Sequence, residues 1–66
     1  MKSITLNGEA KKTGAVTVSE LVKELNLDSS RIALEKNGEI VRKPHYAEAP
    51  VNEGDKIEIV HFVGGG

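Results

Sequence analysis

Two Asn-Gly pairs follow stretches in which apolar and polar residues alternate, and together these patterns predict two β-hairpins. Residues 3–6 and 32–35 show the period of two that is typical of a half-buried strand. Asn7-Gly8 and Asn37-Gly38 come next, and both central residues of a type I′ hairpin turn need a positive φ, which Asn and Gly tolerate best. A third alternating stretch, residues 56–63, predicts a final strand.

The segment between the two hairpins has the period of an amphipathic α-helix. Thr17 is the expected N-cap, and Glu20 three residues later completes a capping box, in which each side chain accepts a backbone N–H of the other residue. One face of this helix carries four apolar residues, Val18, Leu21, Val22 and Leu25.

The resulting order is strand, strand, helix, strand, strand, loop, strand, with residues 42–50 as a connector that contains both prolines and one predicted helical turn. The final strand fits best beside the first, parallel to it and central in the sheet. This is the β-grasp arrangement, an α+β fold with a mixed sheet of about five strands and one main helix on one face. A purely antiparallel meander is the alternative. The predicted domain is 1–63, followed by a flexible, extended glycine tail, 64–66.

The last strand has two faces that differ in polarity. With Ile57 and Ile59 pointing inward, Val60 and Phe62 point to the open face of the sheet, while His61 shares the inward side and is expected to be partly buried. Two interpretations of the apolar pair on the open face remain: the connector 42–50 covers it, through Tyr46, or it forms a docking site for a partner together with Val63.

Composition and charge exclude several classes of function. A net charge of −1 and 3% aromatic residues argue against nucleic-acid binding, and the absence of cysteine excludes a disulfide frame or thiolate site. No segment has the length and apolarity of a membrane span, and a cytoplasmic protein is expected. His45 and His61 have no metal-ligand spacing, and no nucleophile and base form a recognisable pair, so we predict neither a metal site nor an enzyme.

The chain ends on Gly64, Gly65 and Gly66, which directly follow the last predicted strand. Without Cβ atoms, such a segment can enter a channel that is too narrow for other residues, and three residues reach about 10 Å. These glycines could therefore place the Gly66 carboxylate in the active site of a partner, while the domain stays outside.

The ending "EGDKIEIVHFVGGG", supported by "NGEIV" and "TVSELVKEL", resembles the sulfur carrier proteins of thiamine biosynthesis, which are β-grasp members of the ubiquitin-like superfamily. The resemblance implies that an E1-like adenylyltransferase uses ATP and Mg²⁺ to join AMP to Gly66, and that no cofactor is bound by the carrier itself. A sulfur donor, either a cysteine desulfurase or a persulfide protein, then converts Gly66 to a thiocarboxylate. The resemblance also implies that thiazole synthase takes this sulfur to form the thiazole ring.

Three alternatives remain open on the sequence. The small subunit of molybdopterin synthase and a ubiquitin-like protein modifier would use the same chemistry at the C-terminus, although "HFVGGG" argues against the first. A plain β-grasp interaction module would have no use for the glycines. Deletion of Gly66 distinguishes this module from the carriers, because the reacting carbon withdraws by about 3.5 Å.

Overall fold

A computed structural model describes residues 1–62 of the 66-residue chain. The predicted docking residue Val63 and the predicted tail, Gly64, Gly65 and Gly66, lie outside the described residues, as does the predicted domain boundary at 63/64. Two short 3₁₀ turns, Ser29–Arg31 and Lys43–His45, flank the second hairpin. The strands and the helix are, in chain order, β1 (Lys2–Leu6), β2 (Glu9–Thr13), α1 (Val18–Glu24), β3 (Ile32–Lys36), β4 (Glu39–Val41) and β5 (Lys56–His61).

The five strands form one mixed sheet in the order β2-β1-β5-β3-β4. The last strand lies at the centre, parallel to β1 and antiparallel to β3. In the parallel pair, Thr5 lies opposite Lys56 and Leu6 opposite Ile57. The predicted β-grasp arrangement is confirmed, and the antiparallel meander is excluded.

Both predicted hairpin turns are present and adopt left-handed backbone angles. Asn7 has a φ of 50° and Gly8 of 83°, and the corresponding values at Asn37 and Gly38 are 53° and 87°. Two successive residues with positive φ give the type I′ geometry, which matches the twist of the paired strands. The lysine-rich strand β2 forms one edge of the sheet, where charged side chains oppose pairing with other chains.

Helix α1 begins at the predicted cap, with one difference in detail. The Thr17 hydroxyl accepts the Glu20 N–H at 3.2 Å, but the Glu20 carboxylate accepts the N–H of Val16, not that of Thr17, at 2.9 Å. At the other end, Asn26 takes a positive φ of 62°, and Leu27 donates its N–H to the carbonyl of Val22. This is a Schellman ending with asparagine in the left-handed position.

The hydrophobic core lies between α1 and one face of the sheet. The connector 42–50 closes the core from the side, since Tyr46 is buried in it, and burial raises the pKa of the Tyr46 hydroxyl. The connector is also hydrogen-bonded to the first turn of α1, because Val18 and Ser19 donate to the carbonyls of Ala49 and Tyr46. The largest fully buried side chains are Leu21, Ile32, Leu34, Ile57, Val18, Val51 and Thr13.

Candidate docking face and strand end

Strand β5 divides its side chains between the core and the open face as predicted. Ile57 and Ile59 are buried, whereas Val60 is 62% exposed and Phe62 is 58% exposed. Tyr46 belongs to the core and does not cover them. The interpretation in which the connector hides Val60 and Phe62 is therefore wrong, and both residues are free to contact a partner.

The expectation that His61 is partly buried is wrong, because the structure places this side chain in the exposed class. His61 has the same parity as Ile57 and Ile59, but Ile59 is the last buried residue of the strand. Parity determines the side of the sheet to which a residue points, not the position along the strand at which the packed core ends. The imidazole therefore projects past the core into solvent.

The apolar residues on the open face extend from β5 to β3 and β4. Val60 lies opposite Ala33, and Ile40 lies opposite Glu35 on the same face with 70% of its surface exposed. The sequence did not indicate Ile40, because Ile40 and Val41 are both apolar and either one could have faced the core. We call Ala33, Ile40, Val60 and Phe62 the open-face patch.

Two carboxylates border the open-face patch. Glu58 lies directly opposite Glu35 in the antiparallel pair of β5 and β3. Like charges at such positions repel each other, which disfavours the pair unless a cation lies nearby. Lys56 supplies one cation, with its Nζ atom 3.8 Å from a Glu58 oxygen, but this ion pair is exposed and contributes little. An acidic border beside an apolar patch is complementary to a partner surface that carries basic residues.

Both Asn-Gly turns hold β5 in place through the side chain of their asparagine. The Asn7 amide accepts the Ile59 N–H at 2.8 Å and donates to the Ile59 carbonyl at 3.3 Å. On the other side, the Asn37 amide accepts the Lys56 N–H at 2.9 Å. Sequence reasoning assigned these asparagines to the turns alone, because hydrogen bonds between residues 52 or 19 positions apart have no signature in the sequence.

Asp55 fastens the beginning of β5. Its carboxylate accepts the Asn52 N–H at 2.8 Å and the Asn37 side-chain amide at 3.0 Å, and Lys36 Nζ lies 3.7 Å away. Burial by itself raises the pKa of Asp55, but the Asn52 and Asn37 hydrogen bonds and the Lys36 charge outweigh it and hold the pKa below its ordinary value. Strand β5 is thus anchored at its start by Asp55 and near its end by Asn7.

The described part of the chain presents an anchored strand and an exposed apolar patch. Residues 1–62 contain no group of three or more His, Asp or Glu side chains close enough to hold a metal ion. Within the same residues, no helix has the length and apolarity needed to cross a membrane. The predicted site of covalent chemistry, Gly66, follows this region in the sequence, four positions after Phe62. The arrangement therefore presents a firmly held strand end next to an apolar face with an acidic border.

Solved structures with the same architecture place the chain in the β-grasp class. It is similar to the crystal structure of the thiamine biosynthesis protein ThiS from Geobacter metallireducens, with 31% identity, a TM-score of 0.84, and 97% of this chain and 99% of that chain covered. A solution NMR structure of a thiamine biosynthesis protein from the same organism gives 28% identity and a TM-score of 0.79, over 97% of this chain and 87% of that one.

Sequence comparison identifies the family, since the ThiS family model matches residues 4–66. The chain is 40% identical to the sulfur carrier protein ThiS of Bacillus subtilis, over 96% of this chain and 98% of that protein. It is also 50% identical to a stretch of the thiazole synthase of Paramagnetospirillum magneticum, over 96% of this chain but only 20% of that enzyme, so it spans a fifth of this relative's length. The chain belongs to the ThiS family.

Proposed function

We propose that this protein is a sulfur carrier of thiamine biosynthesis, in which the C-terminal carboxylate of Gly66 carries the sulfur as a thiocarboxylate. The observation that carries the proposal is the match of the ThiS family model through to Gly66, and the 40% identity to a protein named as a sulfur carrier agrees with it. The anchored strand β5 supports it, because it leads toward the three terminal glycines beside an exposed apolar patch.

The proposed chemistry begins with activation of the carboxylate. A carboxylate is a poor acyl donor until one oxygen becomes part of a good leaving group, so an E1-like adenylyltransferase transfers AMP from ATP to Gly66 and releases pyrophosphate, with Mg²⁺ bound to the nucleotide. The terminal sulfur of a persulfide then attacks the acyl carbon, and AMP leaves with the electrons of the C–O bond. A second thiol cleaves the resulting S–S bond and leaves the thiocarboxylate and a disulfide.

All catalytic groups in this scheme belong to the partners, and the small protein acts as their substrate. The carrier's contribution is to place Gly66 correctly, which converts an encounter in solution into a reaction within a complex. Thiazole synthase is the proposed acceptor of the sulfur, and a cysteine desulfurase or persulfide protein is the proposed donor. We propose a cytoplasmic location, where ATP is available to the adenylyltransferase.

The open-face patch is the proposed site where partners bind. Val60 and Phe62 are its members nearest to the terminus, and Val63 follows them in the sequence. Exposed aromatic and aliphatic residues of this kind act as anchors when they enter a pocket of the partner. Gly64, Gly65 and Gly66 then have the length, about 10 Å, to reach an active site behind that contact.

The intact mass of the protein after expression beside its adenylyltransferase and a sulfur source tests the proposal. We expect a chain that carries one sulfur in place of one oxygen and that reacts with a thiol-alkylating reagent, although it has no cysteine. Oxidation of Met1 gives nearly the same mass change, so fragment ions must place the sulfur at Gly66.

A chain that lacks Gly66 is the matched control. It should fold with an unchanged thermal midpoint but should be neither adenylated nor alkylated, because its carboxyl carbon lies about 3.5 Å short of the normal position. Full-length protein that stays unmodified beside a competent enzyme, ATP and sulfur source would contradict the proposal and leave a β-grasp interaction module.

A further inference from the structure

The backbone groups of β5 point alternately to its two neighbours in the sheet. Phe62 donates its N–H at 2.9 Å to the carbonyl of Arg31, the residue just before β3, and Asn37, just after β3, donates its N–H to the Lys56 carbonyl. The even-numbered residues of β5 therefore bond on the β3 side. Asn7 donates its N–H to the Ile57 carbonyl on the β1 side. The odd-numbered residues therefore direct their N–H and C=O groups toward β1.

Strand β1 is too short to cover this edge of β5. The parallel pairing stops at Leu6 and Ile57, because the chain turns away at Asn7-Gly8. The Asn7 side chain replaces the missing strand for one further residue, with its two bonds to Ile59. His61 is the next odd-numbered residue, so its N–H also points to the β1 side, and none of the side-chain bonds or the backbone bonds outside the strand ladders of residues 1–62 reaches it. A Cβ atom built on Gly8, at the tip of the turn, would meet no heavy atom within 4 Å, so the turn itself is uncovered.

We propose that the free edge of β5 at His61 is where an extended segment of thiazole synthase adds to the sheet, next to β5 on the side of β1. This inference rests on the proposed function and specifies how the carrier is held while its terminus reacts. An unpaired N–H and C=O on an exposed strand edge are the groups through which a further strand binds, and such main-chain bonds do not depend on the sequence of the partner.

The position of this edge favours a partner that takes up the terminus. His61 is five residues before Gly66, so a strand bonded at His61 lies within about 18 Å of the reacting carboxyl group. Side chains on one face of the added strand would lie beside Val60 and Phe62, which predicts apolar residues at alternate positions of that segment.

Thiazole synthase is the occupant that the relatives favour. A stretch similar to almost the whole of this chain occurs within the thiazole synthase of P. magneticum, at 50% identity. A similar stretch occurs within that of Magnetococcus marinus, at 39% identity. A carrier domain in the same chain as the enzyme is present at a high effective concentration around that enzyme. Under this condition a short, directional backbone contact is sufficient for binding.

Residue-resolved hydrogen exchange of the carrier, free and saturated with thiazole synthase, tests this proposal. In the free carrier we expect the His61 amide to exchange much faster than those of Val60 and Phe62, which point to the β3 side. In the complex, the exchange of His61 should slow by about tenfold or more, as for an amide that gains a hydrogen bond. A complex in which the His61 amide exchanges as fast as in the free carrier would overturn the proposal.

A pair of substitutions separates the backbone of His61 from its side chain. His61→Pro removes the N–H from the free edge, where proline is tolerated in a strand, whereas His61→Ala keeps it. We expect His61→Pro to weaken binding to thiazole synthase by about tenfold and His61→Ala to change it by less than about threefold. Equal losses for the two variants would assign the contact to the imidazole and contradict strand addition. If His61→Pro does not fold, the exchange measurement decides alone.

Failure of this inference can be distinguished from failure of the proposed function. Thiocarboxylate at Gly66 together with an unprotected His61 amide would refute the strand contact alone. Protection of His61 in a chain that never acquires sulfur would refute the carrier function alone.

Discussion

Asn7 and Asn37 each combine two roles that are usually separate, because they adopt the left-handed backbone of a hairpin turn and also hydrogen-bond to β5 through their side chains. Each of them therefore connects a local hairpin to β5, the last strand in the sequence. For Asn37 the bonds extend to the Asp55 carboxylate. Substitutions at Asn37 can separate the two roles, since glycine keeps the backbone angle and loses the side chain.

We expect Asn37→Gly to lower the free energy of unfolding by about 1–3 kcal/mol, because the buried carboxylate of Asp55 and the backbone N–H of Lys56 each lose a partner. Asn37→Ala should be about 1 kcal/mol less stable than Asn37→Gly, since a Cβ atom is disfavoured at a φ of 53°. Urea unfolding of the three proteins measures both differences. Asn37→Gly as stable as the original protein would mean that the side-chain bonds contribute nothing.

At the scale of the element, β5 contributes both to the core and to the surface. Its inward face supplies Ile57 and Ile59 to the core, while its open face presents Val60 to solvent, followed by Phe62 just after the strand ends. The two properties are separable because side chains on opposite faces of a strand do not share neighbours. Changes on the open face should therefore affect binding without affecting folding.

Phe62→Asp should weaken binding to the adenylyltransferase by about 1 kcal/mol or more, as expected for an anchor residue that loses its apolar contact. Val16→Asp is the matched control, because Val16 is also 58% exposed but lies just before α1, away from the open-face patch. Titration calorimetry gives the two affinities, and thermal unfolding verifies that both variants fold. A Phe62→Asp protein that unfolds would show that Phe62 belongs to the core, and equal losses for both variants would contradict the assigned docking face.

At the scale of the whole molecule, the parts of the sheet are held together by groups that meet only in the folded chain. Asp55 connects the turn before β5, the second hairpin and Lys36. A chain of this size buries only about 60% of the surface that its unfolded form exposes, so its net stability is small. The loss of one such group therefore has a measurable effect on the free energy of unfolding. The lowered pKa of Asp55 relates this stability to pH.

The contribution of Asp55 should be complete above its ordinary pKa of 3.8 and should be lost as the pH falls through the lower pKa of the folded state. The sign follows from the unfolded chain, which binds the proton more tightly than the native one. Asp55→Asn should therefore destabilise the protein at pH 7 by about 1–3 kcal/mol and flatten the acid dependence. Urea unfolding between pH 7 and pH 2 measures this effect. Glu39→Gln, on the exposed edge strand, is the control, and equal acid profiles for the two variants would contradict the role of Asp55.

The sequence alone determined the local features of this protein, and each of them depends on neighbouring residues. The two type I′ hairpins follow from Asn-Gly, the start of α1 follows from Thr17 and Glu20, and the faces of β5 follow from the period of two. The central position of β5 was the favoured prediction, because a place beside β1 leaves one face of the sheet to the helix, but only the structure excluded the antiparallel meander. The family resemblance came from the same residues and is supported by the match over residues 4–66.

Only the tertiary structure decided where these local features end and what they contact. The exposure of His61, the membership of Ile40 in the open-face patch and the burial of Tyr46 depend on how far the core extends beneath the sheet. The bonds from Asn7 to Ile59 and from Asp55 to Asn37 join residues that are distant in the chain. Periodicity shows which side of an element is apolar, but burial and long-range hydrogen bonds are set by the three-dimensional distances that folding creates.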